Sequence, residues 1–418
     1  MALHGDSANA GLPGLNNGHT RVSQSVFNVD GTTFVSVLPT LRKQIANSTW
    51  VKRGWTLQEG ELSGRCLYFT ADQVYFECHA IQCCETLEDA DWSVHRWDTA
   101  TNRLTYWDKP QIQKAPGVWS GPNWDDLSGE WVKSSKSCVY VYHRLLANYS
   151  ARKLSYDADI LKAISGILDR LAQKSFQGGF FCGMPIDVLP HVLAWYHLGE
   201  SRRRQGFPTW SWTGWNGEFA RVLASFDKKH SPVSAGERPF VGFGKVERGR
   251  MKEIYSGNPE YLRPLNAILD ATTSEISNDV YRRFDRYRKA NLPVPLESVL
   301  FAWGFVVRLT LSRSSFSRDR GSPDEEHVYL VDIAGHKCKL TCYREDCVDY
   351  IRNRFGRPLH LFVLHTESTR FFNWDSLLLE WTDTMAYRIG AMKFSFPASG
   401  WDKVLREAGL TYARLALA

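Results

Sequence analysis

The amino-acid sequence predicts an α+β protein, and three observations carry that expectation. One amphipathic stripe stands out: Ile160, Leu161, Ile164, Ile167, Leu168 and Leu171 recur at the three- and four-residue offsets of a helix. Residues 66–70 and 73–78 are two β-rich runs joined by Ala71-Asp72, the pattern of a hairpin. Towards the C-terminus, Val299–Leu311, Val328–Ile333, Leu359–Leu364, Leu377–Trp381 and Met385–Ile389 read as successive strands, so antiparallel pairing is expected there.

The remaining elements follow in order. Residues 1–30 are rich in Gly, Asn and Ser and read as loop. Thr32–Leu38 reads as a strand ending at Pro39, and Leu41 and Ile45 suit a short helix. Gly54–Leu62 contains good helix formers and no proline, which predicts a helix placing Trp55, Gln58, Glu59 and Leu62 on one face. Residues 91–150 read as an irregular connector pinned by aromatic side chains, with a strand at Cys138–Tyr142. The stripe from Ile160 to Leu171 opens the C-terminal region, 151–418, with Asp157 or Ser155 suited to cap it. A basic helix over Asp279–Ala290, a charged loop over Arg313–Glu326 and a closing helix near Trp401–Ala408 complete the expectation, and no repeat is present.

Composition narrows the function classes. Hydrophobic content of 43% and charged content of 23% are those of a soluble globular protein, and 418 residues suit two to three domains. A formal charge of +6 spread over this length does not call for a nucleic-acid partner. The longest apolar run, Val299–Val307, is far short of the ~20 residues of a bilayer-spanning helix. The first residues lack the basic end and apolar stretch of a secretory leader. Nine cysteines at irregular spacings point to free thiols in a reducing compartment, so the expected location is the cytosol, with the nucleus as the alternative. Of the 16 tryptophans, eight lie between Trp50 and Trp131; core packing is a better reading than a stacking surface for bases or sugars.

The most specific motif is Arg53-Gly54-Trp55-Thr56-Leu57-Gln58-Glu59, followed by Leu62-Ser63-Gly64-Arg65, an apolar strand through Phe69, and a second strand ending at Cys78. This arrangement resembles the closing block of the fungal heterokaryon incompatibility (HET) domain. Residues 1–90 are then expected to be the C-terminal portion of a HET domain. The two earlier blocks of that family do not occur in residues 1–52. Further resemblance lies in Leu161-Lys162-Ala163-Ile164-Ser165-Gly166 and in Phe207-Pro208-Thr209-Trp210-Ser211-Trp212-Thr213-Gly214-Trp215, where Thr209 stands in the usual place of a serine. Alternation in this second motif predicts a strand with Trp210 and Trp212 on one face. The stretch from Leu377 to Gly390 is similar to the terminal hairpin of long family members.

The resemblance implies a partial TIR-like α/β remnant at the N-terminus and a role in non-self recognition and programmed cell death. Without the front of its domain the chain is expected to be catalytically incomplete, acting as an interaction or regulatory module. Its expected partner is an incompatibility protein or another copy of itself. The alternative is a toxic effector that cleaves NAD, with NAD as substrate and no cofactor. No catalytic residue is assigned; Glu59 is the one candidate acid of the motif, and its plainer reading is a structural carboxylate paired with Arg65 or a backbone amide.

Other chemistry finds little support. Cys78-His79 with Cys83-Cys84, and Cys338, Cys342 and Cys347, lack paired zinc spacing, so no metal is expected. Gly242-Phe243-Gly244 has Glu247 where a dinucleotide loop needs glycine. The basic runs Arg202–Arg204 and Arg282–Lys289 read as solvated faces.

Overall fold

A computed structural model describes residues 1–6, 9–15, 21–78, 82–85, 96–98, 103–105, 135–221, 241–248, 250–257, 292–313, 316–318, 327–342, 345–368, 371–382 and 385–418. The chain divides into two compact units, one formed by 1–131 with 151–167 and the other by 132–150 with 168–418. Both combine helices with antiparallel strands.

In the first unit, β1 (Val26–Val29) and β2 (Thr32–Val35) form a hairpin with Phe27 opposite Phe34. Asp30 and Gly31 both take positive φ, as the tight turn between right-twisted strands requires. The loop expected over 1–30 therefore ends in a strand. Next comes α1 (Leu41–Asn47), whose first turn is capped by Thr40 accepting from the Lys43 N–H. The predicted motif helix is present as α2 (Trp55–Leu62), and it leads into β3 (Arg65–Phe69), β4 (Val74–Cys78) and β5 (Gln82–Cys84). These three strands form an antiparallel meander, with Arg65 opposite Cys78 and Phe69 opposite Val74. Thr70 closes the first turn: its hydroxyl donates to the Gln73 carbonyl at 2.7 Å and accepts from the N–H groups of Asp72 and Gln73. A short hairpin of β6 (Arg96–Asp98) and β7 (Arg103–Thr105) follows in this unit.

The strand expected over Cys138–Tyr142 is instead helix. It belongs to α3 (Ser135–Ser150), and Cys138, Tyr142, Leu145 and Tyr149 are all buried at helical spacing. The expected single helix from Ile160 is also revised. Two turns of 3-10 helix, Asp157–Asp159 and Lys162–Ile164, precede α4 (Ser165–Lys174), although Ile160, Ile164, Ile167, Leu168 and Leu171 are buried as the stripe requires.

The second unit continues through β8 (Phe180–Phe181), β9 (Met184–Pro185), α5 (Leu189–Val192) and the hairpin of β10 (Trp195–Arg203) with β11 (Trp215–Arg221). Its main body is a ten-stranded sheet. In chain order the strands are β12 (Gly242–Glu247), β13 (Arg250–Tyr255), β14 (Leu300–Thr310), β15 (Phe316–Arg318), β16 (His327–Ile333), β17 (His336–Cys342), β18 (Pro358–Ser368), β19 (Phe371–Trp381), β20 (Ala386–Pro397) and β21 (Thr411–Leu417). Helices α6 (Glu345–Arg352) and α7 (Trp401–Glu407) are inserted before β18 and after β20. Gly242 and Gly244, considered above as part of a nucleotide loop, lie inside β12; a Cβ on Gly242 would sit 2.0 Å from the Trp303 indole nitrogen, so this glycine makes room for a ring.

The pairings β14–β18, β18–β19, β19–β20, β20–β21 and β21–β14 run in a closed circuit. Only the β20–β21 contact, Ala386 opposite Leu417, is parallel. Alternate residues Phe305, Val307 and Leu309 of β14 and Leu359, Leu361 and Val363 of β18 face one core, which Val348 and Ile351 of α6 and Val404 and Leu405 of α7 cover. Burying side chains of this size stabilises by about 1.5–3 kcal/mol each relative to exposure.

Candidate functional site

The motif from Arg53 to Glu59 is built around the start of α2. Gly54 takes ordinary helical angles, so its need for glycine is steric: a Cβ there would meet Leu154 Cδ2 at 2.4 Å. The chain approaches this closely because the Gly54 N–H donates to the Lys153 carbonyl at 2.8 Å and Lys153 N–H donates to the Lys52 carbonyl at 2.7 Å. Thr56 is buried, its hydroxyl 2.5 Å from the Trp50 carbonyl and 2.7 Å from that of Arg53. Arg152, also buried, donates to the Arg53 carbonyl at 3.2 Å and the Thr56 hydroxyl at 3.0 Å. Leu57 is fully enclosed.

Gln58 Oε1 accepts from the Gly166 N–H at 2.8 Å, which satisfies an orphan donor in the first turn of α4. A Cβ on Gly166 would lie 2.8 Å from Leu62 and 3.1 Å from that same oxygen, so the glycine of the Leu161–Gly166 segment is also a contact glycine. Trp55 is 39% exposed, and Arg53 and Arg65 are exposed. Glu59 Oε2 accepts from the Trp50 indole N–H at 3.3 Å. The carboxylate is thus tied to a tryptophan rather than to the expected Arg65, with which no ion pair forms among the described residues. Phe69 pairs through its backbone with an extended segment, donating to the Met1 carbonyl and accepting from the Leu3 N–H, both at 2.9 Å. Cys78 lies opposite Arg65 at the far end of the hairpin.

The second motif is not a strand. Residues 207–211 form a turn, and Trp212–Gly214 is a 3-10 turn capped by Ser211, whose hydroxyl accepts from the Thr213 N–H at 3.1 Å. The reason lies in its hydrogen bonds, which run to neighbours on all sides rather than along a ladder. Trp210 Nε1 donates to the Ser298 carbonyl at 3.3 Å, Trp212 Nε1 to the Tyr142 hydroxyl at 3.1 Å, and Trp215 Nε1 to the Thr209 carbonyl at 2.9 Å. Trp195 Nε1 donates to the Trp210 carbonyl at 3.1 Å, and the Ser211 hydroxyl to the Cys182 carbonyl at 2.7 Å. Trp210 and Trp212 are almost wholly buried. These indoles are core, as expected.

Cations complete this knot. Arg203 donates to the carbonyls of Gly214 and Phe207, and burial pulls its pKa below the usual range. Arg204 donates to the Trp215 carbonyl, and Arg388 lies 3.8 Å above the Trp195 ring while donating to that residue's carbonyl. The run Arg202–Arg204 is therefore not a solvated face: Arg204 is buried and Arg203 half-buried, and only Arg202 is exposed. Thr209 uses its N–H and hydroxyl on the Ala418 carbonyl and accepts from the Arg388 N–H at 3.1 Å. Tyr142, under Trp212, is held protonated by burial.

Trp50, Arg152, Trp195, Thr209 and Arg388 complete these two clusters and were not singled out for those roles in the sequence. Thr209 lies within the second motif, but no local pattern marks the contacts of the others; Arg152 lies 96 positions from Thr56. Of the cysteines discussed above, Cys338 and Cys342 are buried on β17 and Cys347 on α6. Among the described residues no group of three or more His, Cys, Asp or Glu is placed to hold a metal ion, and no helix is long and apolar enough to cross a membrane. The expected helix over Asp279–Ala290 lies outside the described residues.

No family model, curated protein or solved structure matches this chain.

Proposed function

We propose that the chain is a HET-type protein of fungal non-self recognition and programmed cell death, acting in the cytoplasm as an interaction or regulatory module rather than through catalysis. In this reading residues 1–90, with the motif Arg53–Cys78, are the closing portion of a TIR-like fold. The observation that carries it is the fate of the motif's polar groups. Thr56 bonds to two carbonyls, Gln58 caps a neighbouring helix, and Glu59 accepts from Trp50. Thr56 and Gln58, committed to internal bonds, support a scaffold; Glu59 is exposed and gives one oxygen to Trp50.

The proposal is tested in a fungal host by expressing the chain alone and together with alleles from an incompatible strain. The expected outcome is normal growth and normal NAD alone, with death only in the combined cells. Death and NAD loss caused by the chain alone, and abolished by Glu59→Gln, would replace this reading with the NAD-cleaving one. Normal growth in every combination would remove the recognition role altogether.

A further inference from the structure

Apart from the run Arg202–Arg204, strand pairing assembles an exposed cationic surface among the described residues of the second unit. Arg308 of β14 stands directly opposite His360 of β18, and His360 stands opposite Leu379 of β19. Residues facing one another across paired strands share a face. Two residues beyond Leu379, Trp381 lies on that face and is 38% exposed, its ring 6.1 Å from the His360 imidazole at 73°. Arg308, Thr310, Arg357 and Pro358 are exposed around this aromatic pair.

Nearby, Arg354 is held by Glu380 and lies 4.4 Å over the Tyr350 ring. Neither Arg308 nor Arg357 has an ion-pair partner among the described residues. Burial first, then Arg308 and Arg354, lowers the pKa of His360, so its ring is neutral at physiological pH.

We propose that Arg308, Arg357, His360 and Trp381 form a binding surface for single-stranded nucleic acid, the exposed indole, set by the His360 ring at its side, stacking an unpaired base and the arginines holding its flanking phosphates. An acidic peptide would use the arginines but leave the exposed indole without a role. A duplex, with its bases already stacked, would do the same. The surface is small, which suits contact with one or two nucleotides and affinity that falls steeply with salt.

The test is fluorescence anisotropy of the full chain with a labelled oligouridylate of about 12 nucleotides. A duplex of equal length and a polyglutamate peptide serve as competitors, and salt is varied between about 50 and 200 mM. The chain should bind the single strand in low salt and prefer it to both competitors. Trp381→Ala should weaken binding about tenfold, within the range seen for loss of one stacked base. Arg308→Glu should weaken it at least as much and make the salt dependence shallower by about one ion. Arg202→Glu, an exposed change on β10, should leave it unaltered. Because Arg308 is exposed, its variant keeps the test open should Trp381→Ala fold poorly. Lack of binding at the lowest salt, binding indifferent to both variants, or equal competition by polyglutamate would overturn the proposal.

Discussion

Gly214→Ala should be among the most damaging single-methyl additions in this protein. Gly214 has no unusual backbone angle, so conformational freedom does not explain it. A Cβ at this position would lie 2.1 Å from the Pro208 carbonyl oxygen and 2.9 Å from its carbon, and 2.3 Å from an Arg203 guanidinium nitrogen. A flexible side chain can retreat, but a carbonyl cannot do so without moving the turn. The Gly214 carbonyl also accepts from the Arg204 N–H at 2.8 Å, and the Gly214 N–H donates to the Ser211 carbonyl at 3.1 Å. Overpacking alone costs about 1–3 kcal/mol. Weakening one or two of these bonds adds about 1 kcal/mol each. A loss of about 3–4 kcal/mol follows, or roughly a 10 °C fall in Tm for a unit of this size. Urea and thermal unfolding of the full chain would measure it. The informative control is Gly179→Ala, where φ is +75° but nothing lies within 4 Å, so only the conformational penalty of about 1 kcal/mol applies. Were Gly214→Ala no worse than Gly179→Ala, the steric account would be refuted.

Three further outcomes are expected. Gly54→Ala should destabilise by about 1 kcal/mol through its contact with Leu154, and Leu154→Ala should remove that penalty in the double variant; additive losses on urea unfolding would show that the two sites do not touch. Gln58→Ala should cost about 1 kcal/mol by leaving the Gly166 N–H unmet, while Glu59→Gln, which keeps an acceptor for Trp50, should cost less than about 0.5 kcal/mol; chemical denaturation that reversed this order would contradict the assigned bonds. Burial lowers the His191 pKa to about 4. A depressed folded-state pKa means that stability is fully present above the unfolded value near 6.5 and is lost as pH falls towards 4, by at most about 3 kcal/mol. Stability curves of the wild type and His191→Gln should therefore converge across that window, and parallel curves would exclude the effect.

Much of the second unit was legible because its strands carry long apolar runs. Val299–Leu311 and Trp401–Ala408 coincide closely with β14 and α7. The strands β18, β19 and β20 exceed their expected bounds because their outer residues, such as Asn373, Asp375 and Lys393, are polar yet still pair. The α3 helix was misread because Cys138-Val139-Tyr140-Val141-Tyr142 has strong β-propensity, and propensity yields to packing. Extending the window to Leu145 and Tyr149 exposes the helical spacing. The helix expected from Ile160 starts later because Gln58, distant in sequence, supplies the cap at Gly166. The motifs themselves were visible, but not their function as internal fasteners. That depends on which carbonyl each indole reaches, and tertiary structure alone decides it.

The closed circuit of the second unit has a consequence for synthesis. Its sealing strand, Thr411–Leu417, bonds β14 over seven residues and lies downstream of every other member. Until that strand emerges from the ribosome, β14 keeps one edge unpaired, whereas β20 is already flanked by β19 and β17, and such an open edge invites association with other chains. The ring therefore stays open along β14 until the last of its strands is made.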